Sequence, residues 1–181
     1  MGLGYHKSKL LEALTMSDFN LQNPHVAKYC ASLENGFKQK MWLLTKLPSA
    51  LFMGVAIQKC HPEKTEVTVP YGWRSQNPFE SIYFVAQAAA AEMSTGLLAL
   101  MAMQGRGNIA VLVQSIEGQF VKKANNKTTF TCLDGHKAYE AVLKAIETGE
   151  GQTVTMESIG VQASGEVVSR FKFVWTFKKR K

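Results

Sequence analysis

The sequence has 181 residues, 46% hydrophobic and 19% charged, which supplies one buried core and carries too little charge for a disordered chain. Lys and Arg total 21 against 14 Asp and Glu, a formal charge of +7, yet the arginines are Arg74, Arg106, Arg170 and Arg180 alone. Readers of nucleic acid lean on guanidinium forks, so this lysine-heavy excess argues against a nucleic-acid partner.

In chain order, Lys7 to Met16 reads as a short helix. From Pro24 the apolar residues Val26, Cys30, Leu33, Phe37, Met41 and Leu44 recur at steps of four, three, four, four and three. That spacing predicts one amphipathic helix, with Asn23 as N-cap, Pro24 at the first position and Pro48 as its stop; Gly36 weakens the stripe without erasing it. Beyond Pro48 the period becomes two. Ala50 to Cys60 and Lys64 to Tyr71 read as strands turning at His61 and Pro62. A long helix from about Pro78 to Gln104 follows, ended by Gly105-Arg106-Gly107-Asn108. Strands are then expected over Ile109–Lys123 and Lys127–Leu133, with a turn at Asn125-Asn126 between them. Asp134 can cap a second amphipathic helix ending at Gly149. Two final strands, Gln152–Ala163 and Glu166–Lys178, flank a Ser164-Gly165 turn. In the last, Val167, Phe171, Phe173, Trp175 and Phe177 face one way, and Arg170, Lys172, Thr176 and Lys178 the other. The order predicts an α+β arrangement around a largely antiparallel sheet of about six strands. The simplest partition is a helical extension over residues 1–46 and one folded domain over 47–181.

Cys30, Cys60 and Cys132 lie far apart with no CxxC spacing, which favours a reducing compartment over a disulfide framework. The four histidines are scattered, and Cys60-His61 has no neighbouring ligand, so no metal site is expected. The start of the chain lacks a secretory pattern, and His6 stands where a myristoylation signal needs Ser or Thr. The apolar stretch Ile82–Met103 is interrupted by Gln87, Glu92, Ser94 and Thr95, which argues against a membrane span. A cytoplasmic location is the expectation. Lys178 to Lys181 form a basic tail that reads as a solvated terminus, or as a contact for the phosphates of coenzyme A, for RNA or for an acidic surface.

The chemistry concentrates in RSQNPFESIYFVAQAAAAEMSTGLLALMAM, from Arg74 to Met103. A helix apolar on every side must be enclosed by protein, and the strands can wrap around it. Glu92 sits in its middle. A carboxylate buried there must be paired with a neighbour such as Gln87, Ser94 or Thr95, or be protonated, or face a polar cavity. Asn77 stands fifteen positions earlier, where Asn77, Pro78 and Glu80 also read as an N-cap, an N1 proline and a capping-box acid. Over fifteen helical residues the two would be separated by roughly 20 Å. If they share one site, they come from two chains whose helices lie antiparallel across a two-fold axis. Trp73 and Arg74, just before the helix, can shape a pocket entrance or simply pack.

Six strands, a long apolar helix after the second, and NPFESIYFVAQAAAAE at its start resemble the hotdog-fold acyl-CoA thioesterase superfamily. Within it the chain is most similar to a bacterial branch related to phenylacetyl-CoA thioesterases, over roughly Leu47 to Phe177. The resemblance implies a curved sheet wrapped around the helix and hydrolysis of acyl-CoA or an acyl-carrier thioester, with no cofactor beyond the coenzyme A of the substrate. It makes Glu92 the general base or nucleophile and Asn77 its partner from the other subunit of a homodimer. A backbone N–H near Tyr83 and Phe84 would hold the thioester oxygen. Many relatives carry His-Gly-Gly at the helix start, where this chain has Tyr83, Phe84 and Val85. Tyr83 then either donates through its hydroxyl or packs as a core aromatic. The alternative to hydrolysis is a hotdog module that binds an apolar ligand or a protein without turnover.

Overall fold

The computed structural model describes residues 18–180, and the helix expected over Lys7–Met16 lies outside them. Three helices come first: α1 (Pro24–Glu34), α2 (Gly36–Lys46) and α3 (Pro48–Phe52). Then follow β1 (Ala56–His61), β2 (Lys64–Val69), α4 (Phe84–Ala102), β3 (Ile109–Phe120), β4 (Thr128–Cys132), α5 (Gly135–Thr148), β5 (Gln152–Gln162) and β6 (Val167–Lys179).

The helix expected to run unbroken from Pro24 is two helices. Asn23 does cap the first, its Oδ1 accepting from the His25 N–H at 3.0 Å. Asn35 then takes an extended conformation (φ −76°, ψ 112°), ends α1 and caps α2 by accepting from the Lys38 N–H at 3.0 Å. The break redirects the second half of the stripe. Val26, Cys30 and Leu33 are buried, whereas Phe37, Met41 and Leu44 are 76%, 44% and 54% exposed. Facing inward from α2 are Gln39 and Leu43 instead. The Gln39 amide donates to the carbonyls of Leu33 (2.8 Å) and Ile57 (2.9 Å) and accepts from the Ile57 N–H (3.1 Å). A carbonyl orphaned at the end of α1 thereby gains a donor, and α2 is tied to β1.

The strand expected from Ala50 begins only at Ala56, because Pro48 starts a further helical turn rather than ending one. All six strands join one sheet in the order β1-β2-β4-β5-β6-β3, antiparallel throughout. The turn at Asn125-Asn126 does not close a hairpin. β3 pairs with β6 at one edge of the sheet, while β4 lies between β2 and β5. The β5–β6 hairpin is as expected, with Gly165 at φ +87° supplying the left-handed turn residue.

Helix α4 packs against β1, β2, β4, β5 and β6, the curved sheet around one helix that the hotdog resemblance implies. It is long and apolar enough to cross a membrane, but most of it is enclosed by the sheet. Phe171, Phe173, Trp175 and Phe177 are all buried, and Lys172 and Lys178 are exposed, as the alternation predicts. The polar side chains of α4 are tied into the sheet. Trp175 Nε1 donates to Thr95 Oγ1 at 3.1 Å, Ser94 and Ser158 share a hydrogen bond of 2.7 Å, and Ser169 donates to Gln87 Oε1 at 2.9 Å. Helix α5 ends at Gly149, at φ +73°. Asp134 precedes α5 without capping it; its carboxylate accepts from the Glu157 N–H at 2.8 Å and pairs with Lys137 at 2.7 Å.

Candidate functional site

Helix α4 begins at Phe84, six residues later than Pro78, and Tyr83 is its N-cap residue. Residues 70–83 instead fold into a loop held by its own backbone. The N–H groups of Ser75 and Gln76 donate to the Gly72 carbonyl at 2.9 and 2.8 Å, and the Ser75 hydroxyl closes onto the Pro70 carbonyl. Gln76 bridges to Ile82, folding the intervening residues into a tight reversal with Glu80 at φ +57°. A proline at Pro78 fits a turn as readily as a helix start, so Asn77-Pro78-Phe79-Glu80 carries turn chemistry and not a capping box.

Asn77 organises that reversal. Its Oδ1 accepts from the N–H groups of Phe79 (3.0 Å) and Ser81 (3.2 Å) and from the Ser81 hydroxyl (3.2 Å). Its backbone N–H donates to the Ser81 carbonyl at 2.9 Å. Three donors on one oxygen fix the orientation of the amide. The side-chain NH2 has no acceptor among the described residues, which leaves a donor of defined direction. The late helix start also removes the rigid rod between Asn77 and Glu92. Only the stretch from Phe84 to Glu92 is helical, about 12 Å of axis, so helix length no longer requires that the two come from different chains.

Glu92 lies on the second turn and a half of α4, partly buried. Burial pushes its carboxyl above the ordinary value. None of the neighbours expected to neutralise it does so. Gln87 donates to the Ile82 carbonyl (2.9 Å) and accepts from Ser169, Ser94 is spent on the Ala91 carbonyl and Ser158, and Thr95 bonds the backbone carbonyl of Glu92 (3.0 Å) and Trp175. Among the described residues the Glu92 carboxylate has no hydrogen-bond or ion-pair partner. It lies instead beside Gly96, where an added Cβ would meet Glu92 Oε1 and the Trp175 ring, each at 3.3 Å. Gly96 and Trp175 belong to the site's geometry, whereas the sequence presents Trp175 only as an inward-facing aromatic of the last strand. The available signal was a glycine one helical turn after the acid, in a helix interior where it costs about 1 kcal/mol.

At the helix start the Tyr83 N–H is already used, donating to the Ser75 carbonyl at 2.7 Å. The N–H groups of Phe84 and Val85, at the first two helical positions, have no acceptor among the described residues. Tyr83 is not a core aromatic: it is 42% exposed, and its ring meets that of Phe84 edge-on at 4.9 Å. Trp73 is 77% exposed and touches Phe52 edge-on at 6.2 Å, and Arg74 is exposed beside Gly54. The loop and the helix start thus gather Trp73, Arg74, Asn77, Tyr83 and Phe84 on one continuous segment ahead of Glu92. No group of three His, Cys, Asp or Glu side chains able to hold a metal ion occurs among the described residues.

Solved structures with this architecture include a Pseudomonas aeruginosa protein of unknown function described as a probable thioesterase, at 17% identity and a TM-score of 0.69, covering 82% of this chain and 99% of that one. A Haemophilus influenzae thioesterase matches at 15% identity and a TM-score of 0.58, over 80% of this chain and 89% of its own. The PaaI protein of the Escherichia coli phenylacetic acid degradation operon matches at 11% identity and a TM-score of 0.54, over 83% and 96%. No match is found among curated proteins. The fold is therefore the hotdog fold, and residues 38–177 match the family described as Domain of unknown function (DUF4442), to which this chain belongs.

Proposed function

We propose that this protein is a thioesterase that hydrolyses acyl-CoA or a related acyl thioester, acting as a homodimer in the cytoplasm. The observation that carries the reading is the Glu92 carboxylate, partly buried on the central helix, raised by desolvation and lacking a partner among the described residues. A carboxylate held without structural employment is suited to take a proton from water. In the proposed reaction Glu92 removes that proton as the water oxygen bonds to the thioester carbonyl carbon. The carbon–sulfur bond then breaks, and the proton passes to the departing thiolate, giving a carboxylic acid and a thiol. Because about 12 Å of helix separates Phe84 from Glu92 within one chain, the open N–H groups at Phe84 and Val85 of the second subunit would receive the carbonyl oxygen as charge develops on it. The free NH2 of Asn77 orients water or substrate, with Trp73, Arg74 and Tyr83 around the entrance.

The homodimer is supported by β3. This long edge strand leaves Leu112, Ile116 and Phe120 at 63%, 53% and 50% exposure, an apolar edge that a second copy can cover. Partly exposed Ala88 and Ala89, on the same side of α4 as Glu92, allow a second helix to approach closely. Three free cysteines, all buried, fit a reducing cytoplasm. The exposed Tyr83–Phe84 ring pair at the helix start favours the second reading, a module that binds an apolar ligand without turnover. Thiol release from a panel of aliphatic and aromatic acyl-CoA substrates separates the two. Turnover that disappears in Glu92→Ala supports the hydrolase; binding without release across the panel favours the module.

A further inference from the structure

The outward face of α2 carries an apolar stripe that the fold does not use. Phe37, Met41 and Leu44 fall at i, i+4 and i+7, within an arc of about 60°, and all three are exposed. The inward side of the same helix is already occupied by Gln39 and Leu43. A helix on the surface of a soluble protein places polar residues where this one has Phe, Met and Leu. Even Thr45, on the outer side, turns its hydroxyl back to the carbonyls of Met41 (2.9 Å) and Trp42 (3.2 Å) and so presents less polarity to solvent.

Charge selects the occupant. Lys38 and Lys40 flank the stripe on opposite sides, Lys46 ends the helix, and no Asp or Glu occurs between Asn35 and Pro62. Lysines on either side of an apolar line can lay their stems along it and raise their ammonium groups to a phosphate plane. A second copy would set lysines against lysines, and three side chains offer far less than the ~1,200 Å² that a stable protein interface buries. The segment before Asp18 is basic as well, with Lys7 and Lys9 against Glu12.

We propose that the outer face of α2 is a docking surface for an anionic phospholipid membrane, on which the protein rests peripherally with Phe37, Met41 and Leu44 among the headgroups. The surface is remote in sequence from the Glu92 site and is independent of the hydrolase reading. The test is cosedimentation of the full chain with phosphatidylcholine vesicles, pure or containing about one-third phosphatidylglycerol. Partition onto the anionic vesicles alone is expected, weakening as salt rises. Phe37→Ser with Leu44→Ser should lower it at least about tenfold, from lost apolar burial. Lys38→Ala with Lys40→Ala should lower it about thirtyfold, from lost attraction to the anionic surface. Both pairs project outward, so thermal unfolding should be unchanged. Failure to bind anionic vesicles, or unchanged binding by either double variant, overturns the proposal. A change in solution mass caused by the Phe37 and Leu44 substitutions would also overturn it, by assigning the stripe to a protein contact.

Discussion

Glu92 Oε1 lies 3.3 Å from the point at which a Cβ on Gly96 would stand, and the Trp175 ring is equally close to it. The missing side chain at Gly96 makes the recess in which the acid rests. Gly96→Ala would add about 1 kcal/mol of helix propensity and take it back through crowding, because ring and carboxylate must each yield by a few tenths of an ångström. The expected outcome is a thermal midpoint within a few degrees of the wild type and a several-fold loss of turnover as the carboxylate is displaced. An alanine variant with full turnover would show that the recess is only packing.

The raised Glu92 carboxyl fixes the sign of a pH dependence. In the unfolded chain a glutamate ionises near pH 4.3, at about its ordinary value. In the folded chain the proton is held to higher pH, so across that window the native state binds more protons than the unfolded state. The stability this group contributes is complete below the unfolded value and is lost as pH rises through the folded one. Glu92→Gln should therefore flatten the fall of the urea midpoint between pH 4.5 and 8, and be at least as stable as the wild type at the upper end. In the wild type, kcat should rise with pH through the same ionisation. The glutamine variant should lose about 100- to 10,000-fold in rate where Glu92 is ionised, with the gap narrowing as pH falls and the wild type takes up its proton.

Subunit mixing tests the shared site. A dimer pairing an Asn77→Ala chain with a Glu92→Ala chain has one site with both lesions and one intact. Two inactive parents should regain about a quarter of wild-type activity after random exchange, since half the dimers are mixed and each has one good site. Absence of recovery in a verified mixed dimer would assign both residues to a single chain, which the loop over residues 70–83 permits.

Phe173 is 1% exposed, with its ring stacked against Phe171 at 6.2 Å between centroids. Truncation to alanine removes a ring from the layer between sheet and helix. Phe173→Ala should cost roughly 3–5 kcal/mol in denaturant unfolding. A loss below 1 kcal/mol would mean that the layer collapses around the gap.

Burial pushes the Cys132 thiol up to about 12, and the hydrogen bond with Cys30, followed by burial, raises Cys60 as well. Thiolates are the reactive form, so neither should be alkylated in the native protein at pH 8. Peptide mapping after iodoacetamide treatment should find both modified only once the chain is unfolded. Rapid native labelling of Cys132 would place β4 in a more open setting than this fold gives it.

Elements whose periodicity repeats over many residues are legible before any folding is known. The alternation from Phe171 to Phe177 and the all-round apolarity of Val85 to Met101 each admit one solution, a half-buried strand and an enclosed helix. Glu92 was legible for the same reason: a charge inside such a helix is conspicuous. Local turn chemistry was not. Asn35 ends a helix that the stripe alone would continue, because its side chain caps the next one and Gln39 satisfies the carbonyl left behind. Asn77, Pro78 and Glu80 fit a helix cap and a tight turn equally well on local grounds. The turn won because the Ile82 N–H finds the Ala124 carbonyl at 2.7 Å and the Tyr83 N–H finds that of Ser75. The crossing of β3 to the far edge of the sheet and the recess at Gly96 likewise rest on contacts between residues far apart in the chain. Periodicity is a local property and survives in the sequence; the partners that satisfy a backbone hydrogen bond or fill the space beside a glycine exist only once the chain has closed on itself.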